Sequence, residues 1–137
     1  MDDCVFCKMV TGEIPVVRIY EDETVLAFLD IGPISDGHTL VIPKEHCSLV
    51  HECQADVLAE VGRRLGRIAG AVVDAMQAEG YNVLCNNGRA AGQVVDHVHF
   101  HIIPRYLEDG VFTQWPAKKY PEGRIDVLAE KIREKLT

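Results

Sequence analysis

The stretch Val94-Val95-Asp96-His97-Val98-His99-Phe100-His101-Ile102-Ile103-Pro104 decides how this chain is read. It is the most strand-like run in the sequence, and successive side chains of a strand point to opposite faces. His97, His99 and His101 then share one face, roughly 6–7 Å apart. Val98, Phe100 and Ile102 share the other face and pack inward. The whole chain has six histidines, so half of them sit in this one run. Each imidazole has two nitrogens to satisfy. Three of them at this spacing argue for chemistry over a solvent-facing strand with chance histidines.

The chemistry follows from the ring. Imidazole is neutral near pH 7 and nucleophilic through one nitrogen, while its other nitrogen is oriented by an acceptor such as a backbone carbonyl. Neighbouring histidines can stabilise charge on a phosphate or pass a proton to a leaving group. The preceding loop, Asn86-Asn87-Gly88-Arg89-Ala90-Ala91-Gly92-Gln93, suits a phosphate. Gly88 and Gly92 let backbone approach a ligand, and Asn86 and Gln93 offer amides to phosphate oxygens.

Outward from this run, residues 16–20 and 25–30 read as two short strands joined by the polar turn Glu21-Asp22-Glu23. Gly32-Pro33 and Asp36-Gly37 punctuate a loop, and residues 38–43 make a third strand. Residues 55–79 form the best helix, with Val57, Leu58, Val61, Leu65, Ile68, Val72 and Met76 at three- and four-residue steps. Gly80 is placed to cap it. Residues 81–85 return as a strand, and the histidine strand spans 94–104. Ile125, Leu128, Ile132 and Leu136 space a C-terminal helix, and a short helical turn is expected between Cys4 and Gly12. This order is an α+β layout with a mostly antiparallel sheet.

The length of 137 residues suits one domain, and 47% hydrophobic with 26% charged content is ordinary for a globular protein. A net charge of −7 disfavours a nucleic-acid backbone as partner, though not a single nucleotide held by a few local donors. No apolar stretch approaches a bilayer span, so no membrane partner is expected. The opening Met1-Asp2-Asp3-Cys4 lacks the pattern of a secretion signal, which gives a cytoplasmic expectation. The five cysteines are Cys4, Cys7, Cys47, Cys53 and Cys85, and reduced thiols are the default. Cys4-x-x-Cys7 has metal-knuckle spacing. His46 and His97 are candidate further ligands, with Cys47, His51 and Cys53 as competitors that spacing does not eliminate. A Cys2His2 zinc of this kind is closed and structural.

The run from His97 to Ile103 resembles the motif His-φ-His-φ-His-φ-φ of the histidine triad family, and Pro104-Arg105 also matches. Cys4 to Cys7, Val25 to Asp30, Gly37 to Lys44, Asn86 to Gly88 and Gly92-Gln93 are similar to the same family. The likeness covers about residues 4–106, with 107–137 as a C-terminal segment and helix. It implies a five-stranded antiparallel sheet per protomer, and a homodimer sharing a ten-stranded sheet. It implies attack by His99 on the α-phosphorus of a purine nucleotide, a nucleotidyl-histidine intermediate, and release of the nucleoside monophosphate by water. His101 assists at the phosphate and leaving group, and the carbonyl of His97 orients His99. Asp30 holds the ribose and Ile31 lies beside the base, while Asn86, Gly92, Gln93 and Val94 surround the phosphate. The Cys-x-x-Cys members bind structural zinc, which by position implies Cys4, Cys7, His46 and His97. No organic cofactor is implied.

Two positions depart from the family. Val94 stands where a Ser or Thr often follows the Gln, which bears on leaving-group preference. Asp96 precedes the triad where an aromatic is common. Trp115 has no assigned counterpart. The leading function is a hydrolase or transferase of purine nucleoside phosphoramidates or related AMP conjugates. A dinucleoside polyphosphate hydrolase uses the same His99 chemistry, and a zinc-stabilised nucleotide-binding interaction protein with little turnover is the reading of another class.

Overall fold

A computed structural model describes residues 3–136. Its centre is set by two strands that are apolar on both faces: β2 (Val25–Leu29) and β3 (Thr39–Pro43). Strands that read as continuous apolar runs need cover on both sides. One face carries Val25, Ala27 and Val41, which pack with Val61, Ile68, Ala69 and Val72 of the long helix α2 (Ala55–Met76). The other face carries Leu26, Phe28, Leu40 and Ile42, which pack with Phe6 of the short helix α1 (Val5–Thr11).

Around this pair the strands β1 (Arg18–Glu21), β4 (Gly80–Leu84) and β5 (Phe100–Arg105) complete an antiparallel sheet of order β1-β2-β3-β5-β4. The helix α3 (Arg124–Leu136) follows. This is the α+β arrangement expected: five strands, one long helix and a C-terminal helix. The register pairs Leu40 with His101. Directly paired residues share a face, so His101 lies on the α1 side of the sheet and Ile102 on the α2 side.

The β1–β2 turn is built by Asp22, whose carboxylate accepts from the Thr24 and Val25 amides at 2.8 and 2.9 Å and from the Tyr20 hydroxyl at 2.6 Å. Arg64 of α2 ion-pairs with the same carboxylate and ties the turn to the helix. The loop into β3 needs Gly37, which has φ +87°, and a Cβ there would lie 2.5 Å from Cγ of Met76.

Three boundaries differ from expectation. The histidine strand begins at Phe100, and residues 94–99 are irregular. The ladder with β3 stops at the Val41–Phe100 pair, and the Val98 amide donates to the Cys47 carbonyl, beyond the end of β3, at 2.8 Å. Helix α2 ends at Met76, not at 79, with Gln77 in the left-handed conformation at φ 51°. Gly80 is no cap because the Glu79 amide already donates to the Arg105 carbonyl and begins the sheet. The third concerns thiols. Cys47 and Cys53 form a disulfide with Cα atoms 5.3 Å apart, which leaves Cys4, Cys7 and Cys85 free. Among the described residues no helix is long and apolar enough to cross a membrane.

Candidate active site

His97, His99, His101 and a fourth histidine, His38, meet on the α1 side of the sheet, and backbone groups set the proton position on each ring. A neutral imidazole donates from one nitrogen and accepts at the other. The Pro43 carbonyl lies 2.8 Å from Nε2 of His97, so Nε2 carries the hydrogen and Nδ1 the lone pair. The His97 carbonyl lies 2.7 Å from Nδ1 of His99, so His99 keeps its hydrogen there and has a lone pair on Nε2. The Ile34 amide donates to Nδ1 of His38 at 3.0 Å. Nε2 of His38 therefore carries hydrogen and donates to Nδ1 of His101 at 2.9 Å. By elimination His101 carries its own hydrogen on Nε2.

The rings of His99 and His101 lie 5.0 Å apart and both line a cavity of about 390 Å³. One ring with a free nitrogen lone pair and one with an N–H donor thus line the same space. Burial, and then the neighbouring His99 and His38, hold His101 down at about 4 against the opposing pull of Asp30. Burial also lowers His38. The relay is accordingly a neutral one near pH 7. The Asp30 carboxylate lies 3.7 Å from Nε2 of His38 and accepts from the Gly32 amide at 2.8 Å.

The cavity lining is mostly apolar with a few polar groups. Phe6 and Met9 of α1, Phe28 of β2 and Leu40 of β3 contribute to the apolar part. Asp30, Asn86 and Gly92 line it together with the two histidines. Ile31 and Val94 stand at the rim, both almost fully exposed. Phe6 is buried and packs edge-on against His99, with ring centroids 5.1 Å apart. Such a volume, largely apolar with a few convergent polar groups, suits a small organic ligand.

Gln93 does not offer its amide to this cavity. It is buried, and its Nε2 donates to the carbonyls of Ser48 at 2.7 Å and Val95 at 3.0 Å, while its Oε1 accepts from the Gly88 amide at 2.7 Å. Both amide hydrogens are used in shaping the loop, so Gln93 positions the loop. Asp96 faces solvent, and Trp115 is exposed.

The second constellation adjoins the first through His97. Cys4, Cys7, His46 and His97 converge so that their ligand atoms all lie within 4.8 Å of one another. Nδ1 of His97 is 3.4 Å from Sγ of Cys4, 3.7 Å from Sγ of Cys7 and 3.2 Å from Nδ1 of His46; Sγ of Cys7 is 3.4 Å from Nδ1 of His46. A tetrahedral zinc with sulfurs at about 2.3 Å and nitrogens at about 2.05 Å requires S···N edges near ~3.5 Å and an N···N edge near ~3.3 Å. The donor set and its edges fit zinc. Burial and the Cys4 thiol push Cys7 up to about 11; a bound cation would favour its thiolate. Of the competing ligands, Cys47 and Cys53 are in the disulfide, and His51 is no member of the cluster.

Sequence reasoning had drawn no role for His38 or Phe6. His38 lies outside the alternating run, 63 residues from its partner. Its one signal was a histidine opening an otherwise apolar strand.

A model of the HIT domain matches residues 11–108. The chain belongs to the HIT, or histidine triad, family. It is 46% identical over 134 residues to adenosine 5'-monophosphoramidase hnt1 of Schizosaccharomyces pombe, covering 97% of this chain and 98% of that one. A crystal structure of a HIT family member from Bacillus subtilis superposes with TM-score 0.93 at 41% identity, covering 98% of each chain. A zinc-bound histidine triad family protein from Mycobacterium smegmatis does so with TM-score 0.76 at 36% identity, covering 99% of each. This HIT chain therefore carries the triad of its family on a nearly full-length family fold.

Proposed function

We propose that this HIT protein hydrolyses purine nucleoside phosphoramidates, or related AMP conjugates, at the α-phosphorus through a nucleotidyl-histidine at His99. One observation carries the reading: Nε2 of His99 is left as a lone pair while Nε2–H of His101 is left as a donor, and both residues line one cavity. In the first step Nε2 of His99 attacks phosphorus, and the bond from phosphorus to the leaving nitrogen breaks. The His99 ring becomes cationic and keeps its Nδ1–H on the His97 carbonyl, whose partial charge stabilises it. The leaving nitrogen takes a proton from solvent as its bond breaks and departs as the free amine, accepting a hydrogen bond from Nε2–H of His101. Water then attacks phosphorus, returns a proton to solvent and frees His99. The sum is one P–N bond broken and one water consumed, with its hydroxyl on phosphorus and its hydrogen on the amine.

The nucleoside is assigned to the apolar side chains of the cavity, with Asp30 to the ribose hydroxyls, Ile31 beside the base, and Asn86 with the Gly92 backbone beside the phosphate. Zinc held by Cys4, Cys7, His46 and His97 supplies structure here, because four protein ligands leave no open position for substrate. Relatives named adenosine 5'-monophosphoramidases support the phosphoramidate leaving group. The side chain of the rim residue Val94 brings no hydrogen-bond donor to that group. Comparing kcat/KM for an adenosine phosphoramidate and a diadenosine polyphosphate tests the assignment. The phosphoramidate is expected to win. A polyphosphate favoured more than about tenfold, roughly 1.4 kcal/mol of discrimination, overturns it.

A further inference from the structure

The loop between the ligand His46 and helix α2 touches the site at several places, and a disulfide closes it. Cys47 and Cys53 are its ends, and both are half-buried. Inside it, the Cys47 carbonyl accepts from the Val98 amide at 2.8 Å, in the middle of the triad. The Ser48 carbonyl accepts from Nε2 of Gln93 at 2.7 Å, and the Ser48 hydroxyl donates to the Asp96 carbonyl at 3.2 Å. The Val50 amide donates to Oδ1 of Asn87 at 2.7 Å, next to Asn86. The loop's own structure is only the single 3-10 turn Val50–Glu52, and no residue from 47 to 53 is fully buried. Its grip on residues 86–98 thus rests on polar contacts that need the loop's backbone to hold one shape. A covalent closure supplies that shape by removing the open conformations.

We propose that the Cys47–Cys53 disulfide is a redox-operated clamp that positions the phosphate loop and the segment carrying His99. Closed, it holds Ser48 and Val50 against Gln93 and Asn87. A dithiol reductant opens it: one thiolate attacks a disulfide sulfur to give a mixed disulfide, and the second displaces the protein thiol. Two protein thiols form and the dithiol is oxidised to its own disulfide. A small disulfide oxidant reverses the exchange. The opened loop lets residues 86–98 fluctuate, so nucleotide affinity falls while the central sheet is untouched. Cys47, Ser48 and Gln93 are positioning residues in this scheme.

The affinity part rests on the nucleotide reading of the cavity; the backbone part does not. The zinc-loaded protein is compared before reduction, after reduction by a phosphine that forms no thiolate complex, and after reoxidation. Peptide mapping without reductant is expected to recover Cys47 and Cys53 linked. Reduction is expected to speed amide hydrogen exchange at Val98 and Val50 at least tenfold, with β2 and β3 unchanged and zinc retained. The dissociation constant for AMP should rise at least fivefold, and reoxidation should restore both. The double variant Cys47→Ser, Cys53→Ser should resemble the reduced protein and ignore the phosphine. Free, alkylatable Cys47 and Cys53 in the unreduced protein overturn the proposal, as does unchanged exchange at Val98 and Val50. If AMP binds neither form, the nucleotide reading fails, and exchange at those two amides still decides the clamp.

Discussion

At the scale of single residues, backbone carbonyls and amides decide which nitrogen of each histidine reacts. The period of two makes it legible that three imidazoles gather on one side, although only His101 lies in a strand and His97 and His99 precede it. It did not show that His97 turns its Nδ1 toward Cys4 and Cys7 while its carbonyl serves His99, because one residue is doing two jobs through two different atoms. Nor did it show His38, which fixes the His101 tautomer from a strand distant in sequence. Replacing His38 with Ala frees His101 to place its hydrogen on Nδ1, where it faces away from the leaving group. kcat is expected to fall by about 10²-fold, the usual worth of a positioned proton donor, with KM nearly unchanged. Full kcat in His38→Ala would mean that the relay does not set the working tautomer.

At the scale of elements, helix α1 joins the metal cluster to the cavity. It has seven residues, too few to persist alone, so tertiary contacts must hold it. Cys4 caps its N-terminus, with the Cys7 amide 3.4 Å from the Cys4 sulfur, and Gly12 ends it in the left-handed conformation. Its Phe6 and Met9 line the cavity. Removing zinc by chelation should therefore loosen that lining before it harms the triad. The account predicts a lower melting temperature, a KM for nucleotide raised several-fold, and a smaller change in kcat. A chelated protein with unchanged melting temperature and KM would sever the cluster from the cavity. The cysteine spacing made the knuckle legible, but it left the other two ligands open among five candidates. Only the folded chain brings His46 and His97 to it, 39 and 90 residues from Cys7. The alternation runs on through residues 94–99, while the ladder with β3 begins only at Phe100, so the sequence overstates the strand.

At the scale of the whole molecule, the α+β layout was readable because the apolar periods switch cleanly between strand and helix, and α2 shows its face at every turn. The loop 44–54 was not readable, since its structure comes from a disulfide and from bonds to segments about forty residues away. The edge strand β4 bears on assembly. It pairs with β5 on one side only, and it exposes Tyr81 and Val83. An apolar, half-paired edge invites a second strand, which supports the proposed homodimer with a shared sheet. Sedimentation should read about twice the 15.2 kDa of one chain; a monomer at micromolar concentration would contradict it. All of these arrangements serve one claim, that His99 becomes covalently nucleotidylated. Its most direct test is intact-mass measurement after rapid, acid-free quenching with an adenosine phosphoramidate. The account predicts a transient gain of one AMP, mapped to His99 and missing in His99→Ala. Turnover of the same substrate with no adduct, or an adduct that survives in His99→Ala, would contradict it.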